Sequence, residues 1–393
     1  MNILFVDDLN VFAPRFGAEQ RSNLLLNACC TIAQVDVVLF ERYDVTPNID
    51  NCQIVFEDNI YNNYTFWDIF KSLLYFNYKY LSGVNRRKQE IISNSLRKKK
   101  YDFIVVRYLP KAINYGLLPY IDKLVIDIDD NPITCLQNQI KSTINHNLIN
   151  LAKRIYWQIK LPFIKRSLCN FTGDIRIPFV SNIEDTHINE SKCVYLPNVS
   201  FSEPNVDFCD FSKTTKRVIW VGLVSYQPNY LGLEHFFEYI YPIVLSKIPD
   251  FEVVVIGKYD AYDISRWQKL KGVFVKGFVE NLELEYASAR AAIVPCYSGA
   301  GTNIKVIEAM RMKRPCITSE IGARGYNSFF ENNSDYLVSK DDESFAASIV
   351  EMLENEHRNY TISNNGFEKA SKYFSKDSFL NIIASSFRKL YDK

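Results

Sequence analysis

Pro295-Cys-Tyr-Ser-Gly-Ala-Gly-Thr-Asn-Ile-Lys-Val-Ile-Glu-Ala-Met310 follows the apolar run Ala291–Val294, passes Gly299 and Gly301, and takes up helical spacing near Thr302 or Asn303. A strand that feeds a glycine loop and then a helix is half of a βαβ unit. In open α/β sheets ligands bind off the carboxyl ends of strands, and a helix start offers unpaired N–H groups to an anion. The stretch therefore predicts a seat for a diphosphate, with Gly299 and Gly301 letting backbone approach the phosphates without an intervening Cβ. Lys305 and Glu308, three residues apart, share a helix face. Glu308 lies roughly 7–8 Å along the axis from the helix start, a reach at which its carboxylate can accept hydrogen bonds from ribose hydroxyls. A surface ion pair between the two is the other reading, although Lys ahead of Glu is the poorer orientation.

The same alternation runs through the whole chain. Ile3–Val6, Val35–Leu39, Phe103–Val106, Leu124–Ile128, Ile177–Val180 and Cys193–Leu196 are strand candidates in the first half. Val218–Val221, Glu252–Ile256, Val273–Val275, Ala291–Val294, Cys316–Thr318 and Tyr336–Val338 are those of the second. Short, almost continuous apolar runs between longer helical stretches imply parallel sheets covered on both faces, hence an α/β protein of two Rossmann-like domains. The expected division is a first domain over 1–200, a linker over 201–216, a second domain over 217–375, and a last helix over 376–393 that packs back on the first domain. Asn59 to Lys100 reads as a helical insertion ending in the solvated run Arg97-Lys98-Lys99-Lys100.

Composition narrows the function. The 393 residues carry 46 Lys and Arg against 45 Asp and Glu, a net charge of +1, which speaks against a dedicated nucleic-acid binder. Nine scattered cysteines without a C-x-x-C pair predict reduced thiols in a cytoplasmic protein, with neither a zinc site nor a disulfide framework. The amino terminus lacks the basic start and cleavage pattern of a signal peptide, and no apolar run is long enough to span a bilayer. His146, His187, His235 and His357 have no catalytic partner at useful spacing, and neither a P-loop nor a G-x-S-x-G motif occurs.

Three further loops complete the pattern. Val221-Gly-Leu-Val-Ser-Tyr-Gln-Pro-Asn229 places Gly222, Ser225 and Asn229 after one strand, Pro249 leads through another to Ile256-Gly257, and Arg314-Pro-Cys-Ile-Thr-Ser319 runs on to Gly322-Ala-Arg-Gly325. With Gly301-Thr-Asn-Ile-Lys-Val-Ile-Glu-Ala-Met310, these motifs from Arg217 to Gly325 resemble the donor half of a GT-B glycosyltransferase of family 4, the group 1 glycosyl transferases. The resemblance implies two Rossmann-like domains facing a cleft. It also implies nucleotide-sugar binding, with Gly222, Ser225, Asn229, Gly301, Thr302 and Asn303 on the donor, Glu308 on the ribose, Lys305 or its neighbours near the diphosphate, and no metal or other cofactor; Lys305 is with this a candidate catalytic residue, a cation to meet the charge of the leaving diphosphate. One departure stands out: the family commonly carries a second glutamate eight positions before Glu308, and here that position is Ala300.

More faintly, Met1–Asp7 followed by Arg15-Phe-Gly17-Ala-Glu19 resembles the family's opening strand and the loop that faces the donor, so Arg15 and Gly17 are donor-side candidates. Ile126-Asp127-Ile-Asp129-Asp130-Asn131 clusters acids at a strand end, where they are expensive unless paired or bound to something. Asp127, Asp129 and Asp130 are thus candidate catalytic residues, with a helix cap plus surface acids as the equal alternative; a metal site would lack histidine partners.

The expected activity is transfer of a sugar from a UDP- or GDP-sugar to a hydroxyl of a polysaccharide, lipopolysaccharide or other glycoconjugate precursor. Retention at the anomeric carbon is implied by the resemblance alone. A nucleotide-sugar epimerase and a non-catalytic glycan-binding or partner-binding scaffold remain alternatives, the latter favoured by Ala300. Leu151 to Arg166 intersperses five cations with Tyr156, Trp157 and Phe163, a composition suited to an anionic membrane surface on the cytoplasmic side, or to a core helix whose lysines reach out to solvent.

Overall fold

Buried β-branched runs become strands because their side chains fill both faces of a sheet that helices cover. The computed structural model describes residues 1–14, 17–43, 48–61, 66–129, 131–142, 148–190, 192–199, 205–259, 264–298 and 302–391. The chain forms two compact units, Met1–Pro197 with Phe379–Lys393, and Asn198–Ser378.

In the first unit β1 (Asn2–Asp7), β2 (Gln34–Leu39), β3 (Cys52–Glu57), β4 (Phe103–Arg107), β5 (Leu124–Asp127), β6 (Ile177–Val180) and β7 (Val194–Tyr195) form a sheet in the order β3-β2-β1-β4-β5-β6-β7. Its helices are α1 (Gly17–Cys30), α2 (Phe66–Leu74), α3 (Arg86–Lys98), α4 (Leu109–Asn114), α5 (Pro132–Ser142) and α6 (Leu148–Asp174). The second unit pairs β8 (Arg217–Val221), β9 (Glu252–Ile256), β10 (Val273–Lys276), β11 (Ala291–Val294), β12 (Cys316–Ser319) and β13 (Leu337–Ser339) in the order β10-β9-β8-β11-β12-β13. With them go α7 (Gln227–His235), α8 (Tyr241–Lys247), α9 (Ser265–Gln268), α10 (Leu282–Ala287), α11 (Ile304–Arg311), α12 (Asp342–Glu354) and α13 (Glu356–Tyr373). The final helix, α14 (Lys376–Tyr391), buries Phe379, Ile383 and Phe387 at four-residue spacing, and Phe387 meets Phe103 edge-on at 4.9 Å.

Among the described residues every strand pair is parallel, and each sheet reverses its strand order once, between β1 and β4 and between β8 and β11. Crossover helices leave in opposite directions at such a point and open a crevice at the carboxyl edge.

Two features, β3 and Lys99, depart from the sequence reading, and the linker stretch carries contacts of its own. Strand β3 was not expected: as the edge strand it alternates exposed and half-buried residues, with a register shift opposite Val37 and Val38, so it shows no continuous apolar run. The stretch read as a linker is anchored over its described part, because buried Arg290 donates to the carbonyls of Phe211 and Thr214 and stacks on the Phe211 ring, while Arg314 donates to the carbonyl of Asp207. In the basic run after α3, Lys99 is not free in solvent but pairs at 2.9 Å with Asp36, which also accepts from Tyr101.

Close packing at the end of β8 depends on Gly257, with φ of +136°, where an added Cβ would lie 1.7 Å from the carbonyl oxygen of Gly222. We expect Gly257→Ala to destabilise the second unit by about 2–4 kcal/mol, the combined scale of a forced backbone conformation and an overpacked contact. Urea unfolding checks this against Gly277→Ala, where a Cβ meets nothing within 4 Å. Equal midpoints for the two variants would contradict it.

Candidate nucleotide-sugar site

The β8/β11 switch point gathers the second unit's candidate residues. Asn303 precedes α11 without capping it through its side chain, so the first turn of the helix keeps donors unclaimed by its cap residue. The Nζ of Lys305 lies 5.4 Å from the centre of the Trp220 ring and donates to Asn229 Oδ1 at 3.0 Å and Asn303 Oδ1 at 3.5 Å. Gly222 makes room for this side chain, since a Cβ there would come within 2.4 Å of Lys305 Cε. Glu308 accepts a 2.8 Å hydrogen bond from the Tyr286 hydroxyl. The ion pair that the i,i+3 spacing allows is not formed; each charge has a neutral partner instead.

Part of each side chain stays accessible while the charged end sits among protein atoms, and burial acts on both. Burial lowers the pKa of Lys305, against the opposing pull of Cys296 and Glu308. It raises that of Glu308, against the Tyr286 hydrogen bond and Lys305, and drives the Tyr286 hydroxyl far up, so that it remains a donor.

The neighbouring loops are tied to one another. Ser225 donates through both its N–H and its hydroxyl to the Lys258 carbonyl, and Asn229 donates to the Leu223 carbonyl. Thr302 accepts from Asn198 at 2.9 Å, and the Tyr326 hydroxyl holds the Asn303 carbonyl at 3.1 Å. Ser319 donates to the Cys296 carbonyl and accepts from the N–H groups of Cys296 and Gly322, which locks the loops after β11 and β12 together. Gly222, Ser225, Asn229, Thr302, Asn303, Lys305 and Glu308 thus belong to one carboxyl edge. Gly299, Ala300 and Gly301 lie outside the described residues.

At the corresponding edge of the first unit the acids are paired. Asp127 is 0 % exposed and binds both Arg21, at 2.7 and 2.8 Å, and Arg107, at 3.0 Å. Burial alone would raise its pKa, but the two guanidinium groups outweigh it and hold the carboxylate below its usual range. Arg21 also donates to the carbonyls of Leu196 and Pro197, both at 3.0 Å, so the pair fixes the end of the unit's main segment. Asp129, 16 % exposed, pairs with Arg107 and has φ of +58°; Tyr108 has φ of +63°, unusual for a bulky residue. Gly17 opens α1 with nothing within 4 Å of an added Cβ, whereas Arg15 and Asp130 lie outside the described residues. Among the described residues no group of three His, Cys, Asp or Glu side chains is arranged to hold a metal ion. His187 and His235 pair with Glu190 and Asp342, and His146 lies outside the described residues.

The sequence reading missed Tyr286 and Trp220, the partners of Glu308 and Lys305. Trp220 lies on the strand that ends at Gly222 and so was within reach of the motif; Tyr286, on α10, meets Glu308 only through the fold.

Residues 215–355 match the family described as glycosyl transferases group 1. The architecture of the two units is that of GT-B glycosyltransferase structures. Sucrose-phosphate synthase from Thermosynechococcus elongatus is similar over 100 % of both chains, at a TM-score of 0.69 and 15 % identity. HepE from Anabaena, solved in complex with UDP and glucose, is similar over 98 % of this chain and 99 % of its own, at a TM-score of 0.63 and 14 % identity. A Klebsiella pneumoniae protein described as an uncharacterized 44.6 kDa protein in the cps region is 23 % identical over 299 residues, which are 72 % of this chain and 74 % of that protein. The group 1 match lies within the unit that holds Lys305 and Glu308.

Because the native pKa of Asp127 is depressed, its pairing stabilises the fold above the unfolded aspartate value and is lost as pH falls through the native one. We expect Asp127→Asn, which leaves two buried guanidinium groups facing a neutral amide, to cost about 3–5 kcal/mol at neutral pH and to flatten the acid limb of the stability profile. Urea unfolding at pH 7 and at a series of acidic pH values measures both. An acid limb as steep as that of the parent would show that other carboxylates drive acid unfolding.

Proposed function

We propose that the protein transfers a sugar from a nucleotide-diphosphate sugar, UDP- or GDP-linked, to a hydroxyl of a polysaccharide, lipopolysaccharide or other glycoconjugate precursor, free or lipid-linked. The observation that carries this reading is the separated pair on α11: a cation beside the helix start, and a carboxylate one turn on that is oriented by Tyr286. An anion beside the first and a hydroxyl-bearing ring beside the second suit a nucleoside diphosphate. The complex of HepE with UDP and glucose supports the donor class, and the cps-region relative supports a polysaccharide setting.

Transfer forms a bond from the acceptor oxygen to the anomeric carbon and breaks the bond from that carbon to the diphosphate oxygen; the diphosphate leaves with the bonding electrons and the negative charge, and the acceptor hydroxyl's proton passes to it or to water. Lys305 and the N–H groups opening α11 would meet that charge from fixed positions. Asp127 has both oxygens committed to arginines and serves to hold them; Asp129 is the more accessible acid of the pair. Retention of anomeric configuration is the expectation that the family resemblance supplies, and NMR of the product reads it.

Isothermal titration with UDP, and with GDP in parallel, tests the donor site. Glu308→Ala should weaken binding roughly 10- to 150-fold, the loss of a hydrogen bond to a charged group at about 1.5–3 kcal/mol. Unchanged affinity in a folded variant would remove Glu308 from the site. Turnover should also survive dialysis against EDTA, since protein groups meet the leaving charge; activity lost to EDTA and restored by a divalent cation would overturn the cofactor-free mechanism.

A further inference from the structure

Large apolar side chains on the first unit's surface concentrate on two helices. On α2, Phe66, Trp67, Phe70, Leu73 and Leu74 are exposed, Phe66 by 73 %. On α6, Leu151, Ile155, Ile159 and Phe163 are exposed, Ile159 by 57 %. Four-residue steps advance about 40° around a helix, so these four form one gently winding stripe. The two helices touch: Lys160 Nζ donates to the Ser72 carbonyl, the Tyr156 hydroxyl donates to that of Leu73, and the ring of Phe76, just past α2, meets those of Tyr156 and Phe163 edge-on. The Phe66, Trp67 and Phe70 rings pack on one another rather than into the core. Patches of this kind mark interaction surfaces.

The charge around the stripe selects the partner. From Leu148 to Gly173 the sequence holds no Asp or Glu, while Lys153, Lys165 and Arg166 are exposed and Arg154 is half-buried. The α2 side adds exposed Lys71 and half-buried Asp68, so the excess on the face is cationic, and in a twofold pairing with a second copy its acid-free α6 rim would meet its own charge. An anionic bilayer offers what the face lacks, with headgroups for the cations and an apolar interior edge for the stripe. No helix among the described residues is long and apolar enough to cross a membrane, so the geometry is that of a surface contact.

We propose that α2 and the Leu151–Arg166 part of α6 seat the protein on an anionic lipid surface. Of the three aromatic residues that suggested such a contact from sequence, only Phe163 faces out. Trp157 packs against the core and Tyr156 is half-buried, leaving aliphatic side chains and Phe163 outward.

Co-sedimentation of the full chain with phosphatidylcholine vesicles, with and without phosphatidylglycerol, at about 0.05 and about 0.5 M salt tests this, the ionic strengths bracketing strong and weak screening. Binding should require phosphatidylglycerol and fade at high salt. Lys165→Gln with Arg166→Gln should lower partitioning about 25-fold, near fivefold per cation, and Ile155→Ser with Ile159→Ser at least about tenfold. Circular dichroism melting confirms that each variant is folded, and the charge variant decides if the apolar one is not. Three results would overturn the proposal: no binding to anionic vesicles at low salt, binding that folded variants leave unchanged, or a concentration-dependent dimer that Ile155→Ser with Ile159→Ser dissolves while vesicles are ignored. Because vesicle binding needs no nucleotide, the result is independent of the transferase reading.

Discussion

Two opposite charges on one face of α11 are kept from neutralising each other, and the second unit is arranged around that separation. Lys305 is turned toward Trp220, Asn229 and Asn303, and Glu308 toward Tyr286. Burial works against both charged forms, which an ion pair would relieve at no cost in sequence. Each charge is offset instead by neutral partners and by the weaker pull of the other. The constraints that maintain it reach across the unit: Gly222 must lack a side chain so that Lys305 can lie against it, and Gly257 must lack one so that the Gly222 backbone can lie where it does. Strand order then brings the ends of β8 and β11 side by side.

The first unit repeats the strand order and reverses the electrostatic solution. At its carboxyl edge Asp127 is joined to Arg21 from α1 and Arg107 from β4, and Asp7 accepts from Ser22 and Lys111. Here opposite charges meet directly, each removing the burial cost of the other, and Arg21 extends the network to the carbonyls of residues 196 and 197. One sheet edge pairs its charges with each other, and the other gives each charge neutral partners. The same topology thus supports a structural lock in one unit and a candidate binding site in the other, which is why the fold by itself names no substrate.

What was legible in the sequence follows from this contrast. Continuous apolar runs marked nearly every strand because both sheet faces are covered, and the strand-glycine-helix order around Thr302 marked the loop and helix start of the candidate site, because those signals are local. The edge strand β3 escaped because one side of it meets solvent, and the pairing of Asp127 escaped because its arginines lie 106 and 20 residues away. Clustered acids at a strand end require a partner; the sequence cannot say whether that partner is a ligand or an arginine. The anchoring of residues 205–216 is of the same kind, since buried arginines bind carbonyl groups and a carbonyl carries no mark in the side-chain pattern.

The orientation of α6 shows how one buried charge can decide which face of a helix meets solvent. Lys160 is fully buried, with its ammonium group near the rings of Phe76, Tyr156 and Trp157 and bonded to the Ser72 carbonyl and the Tyr156 hydroxyl. A buried ammonium needs this combination of oxygen acceptors and aromatic faces, because either set alone leaves donors unsatisfied. Recruiting Tyr156 and Trp157 to that task turns them inward and brings the end of α2 against the helix. The opposite side, Leu151, Ile155 and Ile159, is exposed. A periodicity analysis that groups Tyr156 and Trp157 with Phe163 as outward-facing misplaces the first two, because it cannot know that a lysine in the middle of the helix has claimed them.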